Sequence, residues 1–275
     1  MKVGLVTGGN SGIGYELTKR LLSEGWRVIS LNRSAFSQDE PIIKNAIEIG
    51  MLKHYPTDLA DFSKLKETID EVKSSEKYLD VIFNNAGSMA GSLRFSPQGR
   101  EMDFEVNTVA PFIIANELKN LLLNGDLKTI VNTSSSSALQ VKSFNVEQLE
   151  KPTTFTKLFG SYASSKLALS LWTKELSKKF AKDGIEIRSA DPQPSKTPLS
   201  KSSGMPWFML LVRPFVFSHA SKGANILFQV ATGKFRGKQG VFIMKGKDTP
   251  LKFSENAPIV YEMLDTIYTQ EFSNR

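Results

Sequence analysis

A tyrosine and a lysine four residues apart, Tyr162 and Lys166, carry the clearest chemistry in the sequence. The surrounding stretch GSYASSKLALSLWTKELSKKF has apolar residues at helical spacing, so both side chains should project from one face of a helix. A free phenol has a pKa of about 10, but an ammonium group about 4–6 Å away favours the phenolate and lowers that pKa. The pair therefore predicts general acid–base catalysis at an alcohol or carbonyl oxygen.

A glycine-rich turn lies near the start of the chain, where the apolar run KVGLVT leads into TGGNSGIG and then into a helical pattern. Glycine permits positive φ in a strand-to-helix turn, and a diphosphate can approach backbone that carries no Cβ. The helix that begins near Gly12 offers free N–H groups and the positive end of its dipole to an anion. Because the spacing of Gly8, Gly12 and Gly14 differs from the common G-x-G-x-x-G, a tight turn without a ligand is the alternative to a dinucleotide site.

The end of the second apolar run, SLNRS, bears on which dinucleotide the turn would hold. An acidic residue about 20 positions past the turn binds the ribose 2′-hydroxyl of NAD, whereas a nearby arginine accommodates the 2′-phosphate of NADP. This chain has Asn32 where a carboxylate would stand, with Arg33 beside it. The pattern predicts that NADP(H) is preferred over NAD(H), and an ordinary surface arginine is the alternative for Arg33.

Short apolar runs alternate with longer amphipathic stretches along the chain. Runs that are apolar throughout are typical of strands buried on both faces, and a repeated strand–helix–strand order forces parallel neighbours with right-handed crossovers. The sequence predicts a single α/β domain over residues 1–275, a Rossmann-type doubly wound and mainly parallel seven-stranded sheet with helices on both faces. The strand candidates are KVGLVT, RVISL, MLKHY, DVIFN, KTIVNTS, IEIRSA and GVFIM, and the helix candidates lie near 12–24, 40–49, 61–76, 98–125, 158–182, 219–232 and 255–270.

Two stretches interrupt this alternation, residues 138–157 after the fifth strand and residues 191–217 after the sixth. Both follow the carboxyl ends of strands, where open α/β sheets bind their ligands. We expect both stretches to shape the substrate site.

Five motifs, TGGNSGIG, NNAG, EVNTVAPF, IVNTSSSS and YASSK, occur in an order that resembles the short-chain dehydrogenases/reductases. The resemblance runs from the first strand to at least Leu199. It implies an NAD(P)-dependent oxidoreductase that acts on CH–OH or C=O groups. It also implies that Asn107, Ser135, Tyr162 and Lys166 are the catalytic residues.

The resemblance gives each of these residues a role. Ser135 would position the substrate oxygen, and the other serines of residues 134–137 would be loop residues. Tyr162 would donate or accept the proton, while Lys166 would lower its pKa and bond the nicotinamide ribose. Asn107 would hold the lysine through water. Without the other motifs, the better interpretation of Asn107 would be a polar residue on a solvated helix face.

The remaining matched positions predict contacts with the cofactor. Asp58 matches the residue that meets the adenine, although it could equally cap the helix that starts near Asp61. In the run DPQPSKTPL, Gln193 replaces the glycine that the family usually has, and Pro194 adds stiffness. The predicted cofactor set is Gly8, Asn10, Ser11, Gly12, Ile13, Gly14, Asn32, Arg33, Asp58, Leu59, Asn85, Ala86, Gly87, Tyr162, Lys166, Pro192 and Thr197.

Composition argues against several other classes of protein. The 275 residues include no cysteine, which excludes a disulfide framework, a thiol nucleophile and a zinc–thiolate site. His54 and His219 lack metal-binding spacing, so no metal site is expected. The 35 basic residues outnumber the 28 acidic ones, but they are dispersed, so no nucleic-acid partner is expected. The first strand begins at Lys2 and leaves no room for a signal peptide, so a cytoplasmic location is expected.

The long interval between Ser135 and Tyr162 resembles the retinol dehydrogenase-like subgroup, which acts on lipophilic alcohols and carbonyls. The apolar run MPWFMLLVRPFVF at 205–217 is too short to span a membrane, and it would form a lid, a peripheral membrane contact or a packed surface. No charged residue stands out as a clamp for an acidic substrate. The resemblance also suggests a homodimer or homotetramer through the helices near 98–125 and 158–182.

The predicted function is therefore NADP(H)-dependent hydride transfer to or from a small to medium, lipophilic carbonyl or alcohol. The alternative is a redox sensor or scaffold that binds NADP without catalysis, since a fold does not by itself imply an enzyme.

Overall fold

The fold is built on one eight-stranded sheet, seen in a computed structural model that describes residues 1–201, 204–206 and 216–273. The strand order is β3-β2-β1-β4-β5-β6-β7-β8, and every described pair is parallel except β7 with β8. The strands are β1 (Val3–Thr7), β2 (Arg27–Asn32), β3 (Leu52–Pro56), β4 (Val81–Asn84), β5 (Thr129–Thr133), β6 (Glu186–Ala190), β7 (Phe242–Met244) and β8 (Lys247–Asp248).

All seven predicted strands are present, and their order is that of a doubly wound Rossmann sheet, which confirms the predicted fold class. The expected number of strands was wrong by one, because the chain turns back after β7 to form β8. Lys245 and Gly246 make this turn with φ of 50° and 72°. A tight hairpin needs positive φ at both central residues, and lysine at the first of them conceals the usual Asn-Gly signal.

The helices occupy the predicted places with one exception. The single helix expected near 98–125 is divided, because a π turn at Glu105–Val109 precedes Pro111, which has no N–H to donate to a continuous helix. A second π turn covers Tyr268–Ser273. The α-helices are α1 (Gly12–Ser23), α2 (Pro41–Glu48), α3 (Phe62–Ser75), α4 (Met102–Phe104), α5 (Ala110–Glu117), α6 (Lys119–Leu123), α7 (Ser161–Phe180), α8 (Ala220–Thr232) and α9 (Ala257–Ile267).

Helices cover both faces of the sheet, and each face has its own core. On one face α1, α2 and α8 pack on strand residues such as Val6, and on the other face α3, α5, α7 and α9 pack on strand residues such as Leu5. Adjacent strand residues thus point into opposite cores, which is why the strands are apolar throughout. Within the described ranges, no helix is both long and apolar enough to cross a membrane.

A hydroxyl at the end of β1 ties two loops at the carboxyl edge of the sheet. Thr7 Oγ1 accepts hydrogen bonds from the N–H groups of Asn85 and Ala86, at 3.0 and 2.9 Å. The Asn85 side chain in turn donates to the Thr7 carbonyl at 3.1 Å. The glycine-rich turn after β1 and the NNAG segment after β4 are therefore held in a fixed relation.

Buried side-chain hydrogen bonds fix α7 against the sheet and the π turn. Asn132 on β5 accepts from Asn84 on β4 and donates to Thr173 on α7, both at 2.8 Å. Thr108 in the π turn donates to the carbonyl of Ser165 at 2.8 Å. These bonds hold α7 against the ends of β4 and β5 through Thr173 and against the π turn through Ser165.

We predict that Thr7→Val lowers the free energy of unfolding by about 1–3 kcal/mol, because the buried edge loses the acceptor for two N–H groups while the side-chain volume stays nearly constant. Thr57→Val is the matched control. The Thr57 hydroxyl is buried and has no partner among the described residues, so its removal should cost less than about 0.5 kcal/mol. Urea denaturation of the two variants tests this, and equal losses would contradict it.

Candidate active site

A cavity of about 740 Å³ lies over the carboxyl ends of the parallel strands. Every residue of the predicted cofactor set lines this cavity except Gly14. A Cβ on Gly14 would lie 2.1 Å from the Gly8 carbonyl oxygen, so Gly14 allows the helix and the turn to pack closely. Gly14 thus has a packing role that the structure shows, and its contact with the cofactor stays a prediction from the sequence.

The glycine-rich turn has the features that a diphosphate requires. Gly8 and Gly12 adopt φ of 66° and 53°, which favour glycine. Ser11, at the N-cap of α1, makes no side-chain cap hydrogen bond, and Ser11, Gly12 and Ile13 all line the cavity. The first N–H groups of a 12-residue helix are thus directed at the cavity, and the turn fits an anionic group.

Two buried hydroxyls in the cavity wall have no partner among the described residues. They belong to Thr57, after β3, and Thr133, at the end of β5. Buried hydroxyls are normally hydrogen-bonded, so both point to groups that a bound ligand would supply. The observation fits a long ligand that extends from the end of β3 to the end of β5.

The end of β2 carries a neutral amide and a free cation. The Asn32 side chain is buried, accepts from the Ser30 hydroxyl and donates to the Ser34 carbonyl at 2.6 Å. Arg33 is exposed and lines the cavity, and no described residue pairs with its guanidinium. The open alternative for Asp58 is also resolved, because Asp61 caps α3 while Asp58 accepts from the Ala60 N–H at 3.0 Å and lines the cavity.

Tyr162 and Lys166 lie in the first two turns of α7, and both are buried in the cavity wall. The Lys166 ammonium is 5.9 Å from the centre of the tyrosine ring and donates to the Thr133 carbonyl at 2.8 Å. The Ser135 side chain lies close enough to the Tyr162 hydroxyl to lower its pKa, and it accepts a hydrogen bond from the Ser137 hydroxyl at 3.0 Å. The three predicted residues Ser135, Tyr162 and Lys166 are therefore brought together.

The structure separates the serines that follow β5. Ser134 is buried against α7, where its hydroxyl donates to the Lys166 carbonyl at 3.1 Å and contacts Ser170 Oγ at 2.8 Å. Ser135 is the serine that meets the tyrosine hydroxyl. The geometry thus supports the choice of Ser135 within residues 134–137.

Asn107 lies in the π turn and is fully buried, so the alternative of a solvated helix face is wrong. Its Oδ1 accepts from the Ser88 N–H at 2.8 Å, and its Nδ2 donates to the Ser88 carbonyl and to Ser165 Oγ, at 2.9 and 3.0 Å. A Cβ on Gly87 would lie 3.2 Å from Asn107 Oδ1 and 3.6 Å from Lys166 Nζ. Asn107 Oδ1 and Lys166 Nζ therefore both lie close to the same face of Gly87.

Burial favours the neutral forms of both titrating groups. It raises the pKa of Tyr162, and Asp191 and Asp103 add to the rise, while the Ser135 hydrogen bond opposes it. Burial also lowers the pKa of Lys166 to about 8, against the opposing effect of Asp103. The tyrosine pKa is therefore raised where a lowering by the lysine was expected, because desolvation of the phenol is the largest effect.

Apolar side chains surround Tyr162 at one end of the cavity. Met89, Leu158, Met205 and Phe217 form a buried cluster with the tyrosine, and Leu199 packs against it. Gln140 is the one described residue of 138–157 that lines the cavity, since the apolar residues of that stretch, Ala138, Val141, Val146 and Leu149, are buried in the main core. Residues 207–215, the middle of the predicted lid or membrane contact, lie outside the described residues.

Gln193 adopts a left-handed conformation with φ of 65°, at the position where the resemblance expects glycine. Its N–H donates to Asp191 Oδ1 at 3.0 Å, and its carbonyl accepts from the Ser195 hydroxyl at 3.2 Å. The chain therefore keeps a backbone shape suited to glycine at a cost of about 1–2 kcal/mol. Pro192 and Thr197 line the cavity on either side of this residue.

Three charged residues of the site went unnoticed in the sequence. Asp191 is buried beside Gln193, and Asp103 is buried close enough to affect the pKa of both Tyr162 and Lys166. Arg94 is exposed and lines the cavity, and the expectation that no charged residue acts as a clamp for an acidic substrate stays a prediction. For Asp103 a signal existed, because acidic residues recur at every second position in GREMDFEVN; Arg94 lies in no recognisable motif.

Comparison with known proteins identifies the family. The family model for the short chain dehydrogenases matches residues 2–205, and the chain belongs to that family. Human retinol dehydrogenase 13 is 29% identical over 208 residues, which are 74% of this chain and 62% of that protein. The chain spans 61–67% of the length of the curated relatives that match it first.

Solved structures share the fold at lower identity. A short-chain oxidoreductase from Brucella ovis, in complex with a partially ordered NAD, has a TM-score of 0.63 and 24% identity, with 88% of this chain and 98% of that chain covered. The NADPH-bound carbonyl reductase from chicken fatty liver has a TM-score of 0.67 and 21% identity, with 90% and 99% covered. These similarities establish the Rossmann fold of the dehydrogenases for this chain.

We predict that Lys166→Met is more stable than the wild type at pH 7 by about 1–2 kcal/mol, measured by urea denaturation without added nucleotide. The folded pKa of about 8 lies below the ordinary value of 10.5, so the buried ammonium destabilises the fold below pH 8. This penalty disappears as the pH rises from 8 to 10.5, and the difference between the proteins should shrink in that window. Loss of the bond to Thr133 offsets part of the gain.

The control for this prediction is Lys178→Met on the same helix, whose ammonium is 62% exposed and pairs with Glu175. Its removal should change stability by less than about 0.5 kcal/mol at pH 7. A Lys166→Met variant less stable than the wild type at pH 7 would contradict the prediction.

Proposed function

We propose that the protein is an NADP(H)-dependent oxidoreductase that transfers a hydride between the nicotinamide and the carbonyl or alcohol carbon of a lipophilic substrate. The observation that carries the proposal is the convergence of Ser135, Tyr162 and Lys166 on the apolar end of a cavity whose other end holds the glycine-rich turn. Family membership supports the same conclusion.

When bound, the nicotinamide would supply or accept the hydride, and the protein residues would manage the proton and the orientation. The raised pKa of Tyr162 keeps the phenol protonated at neutral pH, so it is ready to donate to a substrate carbonyl oxygen. Ser135 would hold the same substrate oxygen. Lys166, anchored on the Thr133 carbonyl, would stabilise the phenolate left after proton donation. In alcohol oxidation the same groups would act in reverse.

The preference for NADP(H) rests on the end of β2. A carboxylate there would repel a 2′-phosphate, whereas this chain has a buried amide, Asn32, and beside it the exposed guanidinium of Arg33, which pairs with no residue in the part of the chain that the structure describes. An arginine can bind a phosphate with two parallel hydrogen bonds. Both features favour the phosphorylated dinucleotide.

The substrate class follows from the cluster around Tyr162. Met89, Leu158, Met205 and Phe217 give this end of the cavity an apolar wall. The similarity to human retinol dehydrogenase 13 supports a lipophilic alcohol or aldehyde as the substrate. The cytoplasmic location, the peripheral membrane contact and the homodimer or homotetramer stay predictions from the sequence.

We expect Tyr162→Phe to reduce turnover of hydrophobic aldehydes and ketones by at least about 100-fold, because the phenyl ring has no proton to donate. NADPH absorbance measures the turnover and fluorescence titration measures nucleotide binding, which should change less than about threefold. Tyr261→Phe, on the distant helix α9, is the control and should retain activity.

A Tyr162→Phe variant with normal turnover would refute the proposed proton relay. If the wild-type protein binds NADPH but reduces none of these aldehydes and ketones, the result would favour the alternative function, a redox sensor or scaffold that binds NADP without catalysis.

For Arg33→Asp we expect a KM for NADPH that rises by about tenfold or more, with the KM for NADH nearly unchanged, because the carboxylate repels the 2′-phosphate and can accept from a 2′-hydroxyl. Lys44→Asp makes the same change of charge on exposed helix α2, away from the cavity, and should leave the ratio of the two constants as it is in the wild type. An unchanged ratio in Arg33→Asp would contradict the preference for NADP(H).

A further inference from the structure

Asp103 is a buried carboxylate that the proton relay described above does not use. It lies in α4, directly before the π turn that carries Asn107, and only 1% of its surface is exposed. Its two oxygens accept from the Ala90 N–H at 3.0 and 3.2 Å. Burial raises the pKa of Asp103, while this N–H group, the nearby Ser88 hydroxyl and the charges of Lys166 and Arg94 favour the ionised carboxylate.

The partners of Asp103 belong to the segment 88–90, which Asn107 holds from another side. The Asn107 amide bonds both the N–H and the carbonyl of Ser88, at 2.8 and 2.9 Å. The segment follows Gly87 directly, and it is Gly87 that Asn107 and Lys166 approach together. Met89, inside the segment, lines the cavity beside Tyr162. Asp103 and Asn107 therefore clamp one short piece of chain that contacts both the relay and the substrate end.

The titratable groups that face Asp103 come from α7, from the loop before α4 and from the N-cap of α4. Lys166 on α7 and Arg94 in the preceding loop attract it, while Glu101 at the N-cap of α4 repels it. Tyr162 also faces it, since Asp103 opposes ionisation of the phenol. Asp103 is the one described acid that raises the pKa of Lys166 against the effect of burial. It therefore helps the lysine to stay charged and the tyrosine to stay protonated.

We propose that Asp103 is a positioning residue of the proton relay, which holds the segment 88–90 against Asn107 and supplies the buried counter-charge of the Lys166 ammonium. The inference rests on the proposed oxidoreductase function for its kinetic consequence. The electrostatic interaction between Asp103 and Lys166 can be measured without any enzyme activity.

The kinetic test compares the pH dependence of kcat for carbonyl reduction in the wild type and in Asp103→Asn, with saturating NADPH and one hydrophobic aldehyde. Asparagine keeps the size of the side chain and one oxygen for the Ala90 N–H but removes the charge. We expect the alkaline fall in kcat to move to lower pH by about one unit, because Lys166 loses its proton more easily. At pH 8 this corresponds to a loss of up to about tenfold.

Two further variants separate charge from structure. Glu101→Gln removes a neighbouring buried carboxyl, whose pKa is raised to about 7, and should leave the alkaline fall in place. Asp103→Glu restores the charge and should move the alkaline fall back toward its wild-type position. An Asp103→Asn variant with a wild-type melting temperature and an unshifted profile would overturn the proposal, and so would an equal shift in Glu101→Gln.

The second test needs no activity and therefore stands apart from the proposed function. Urea denaturation of the wild type, Asp103→Asn, Lys166→Met and the double variant forms a double-mutant cycle. We expect the two substitutions to be non-additive at pH 7 and to become additive above about pH 10, where Lys166 is neutral in the folded state of the wild type and of Asp103→Asn. Additivity at pH 7 would overturn the proposal even if the protein reduces aldehydes. If the two substitutions are non-additive but the protein reduces no aldehyde, the result would contradict the proposed function and leave the interaction between Asp103 and Lys166 supported.

Discussion

A buried ammonium group is the constraint around which the site is arranged. Lys166 reaches from α7 to the carbonyl of Thr133 at the end of β5, and this contact requires the helix to lie directly over the sheet edge. The polar contacts of Asn132, Thr173 and Thr108 hold the helix there. Because a buried charge needs nearby partners, the location of the lysine also explains why an amide and a carboxylate are buried in the π turn and the helix before it.

The fold could be predicted from the sequence because its strands are short apolar runs and its helices are amphipathic, and both patterns are local. β8 could not be predicted from the sequence. Its turn places Lys245 at positive φ, a conformation that lysine does not favour and that its presence in the sequence therefore does not indicate. The divided helix before α5 has a visible cause in Pro111, but the π turn is set by the packing of Asn107 against Ser88 and Ser165, which are distant in sequence.

In the site, too, the positions of residues could be predicted from sequence motifs, whereas properties that depend on the surrounding structure could not. Ser135, Tyr162 and Lys166 lie together as their motifs indicate, because each motif occupies a fixed place on the sheet edge. The direction of the tyrosine pKa could not be obtained from the spacing of two residues, since it depends on how completely the surrounding chain excludes water. The packing of Gly14 against Gly8 could not be obtained from the sequence for a similar reason, because close packing and ligand contact require the same residue type.

The two loops joined by the Thr7 hydroxyl differ in origin but cannot move separately. One is anchored on β1 and the other on β4, at the centre of the sheet, so the floor of the cavity behaves as a rigid platform. Residues 191–195 and 197–200, which line the cavity after β6, lie outside these two loops. Directed evolution of substrate range should accordingly concentrate its mutations there and leave the floor intact.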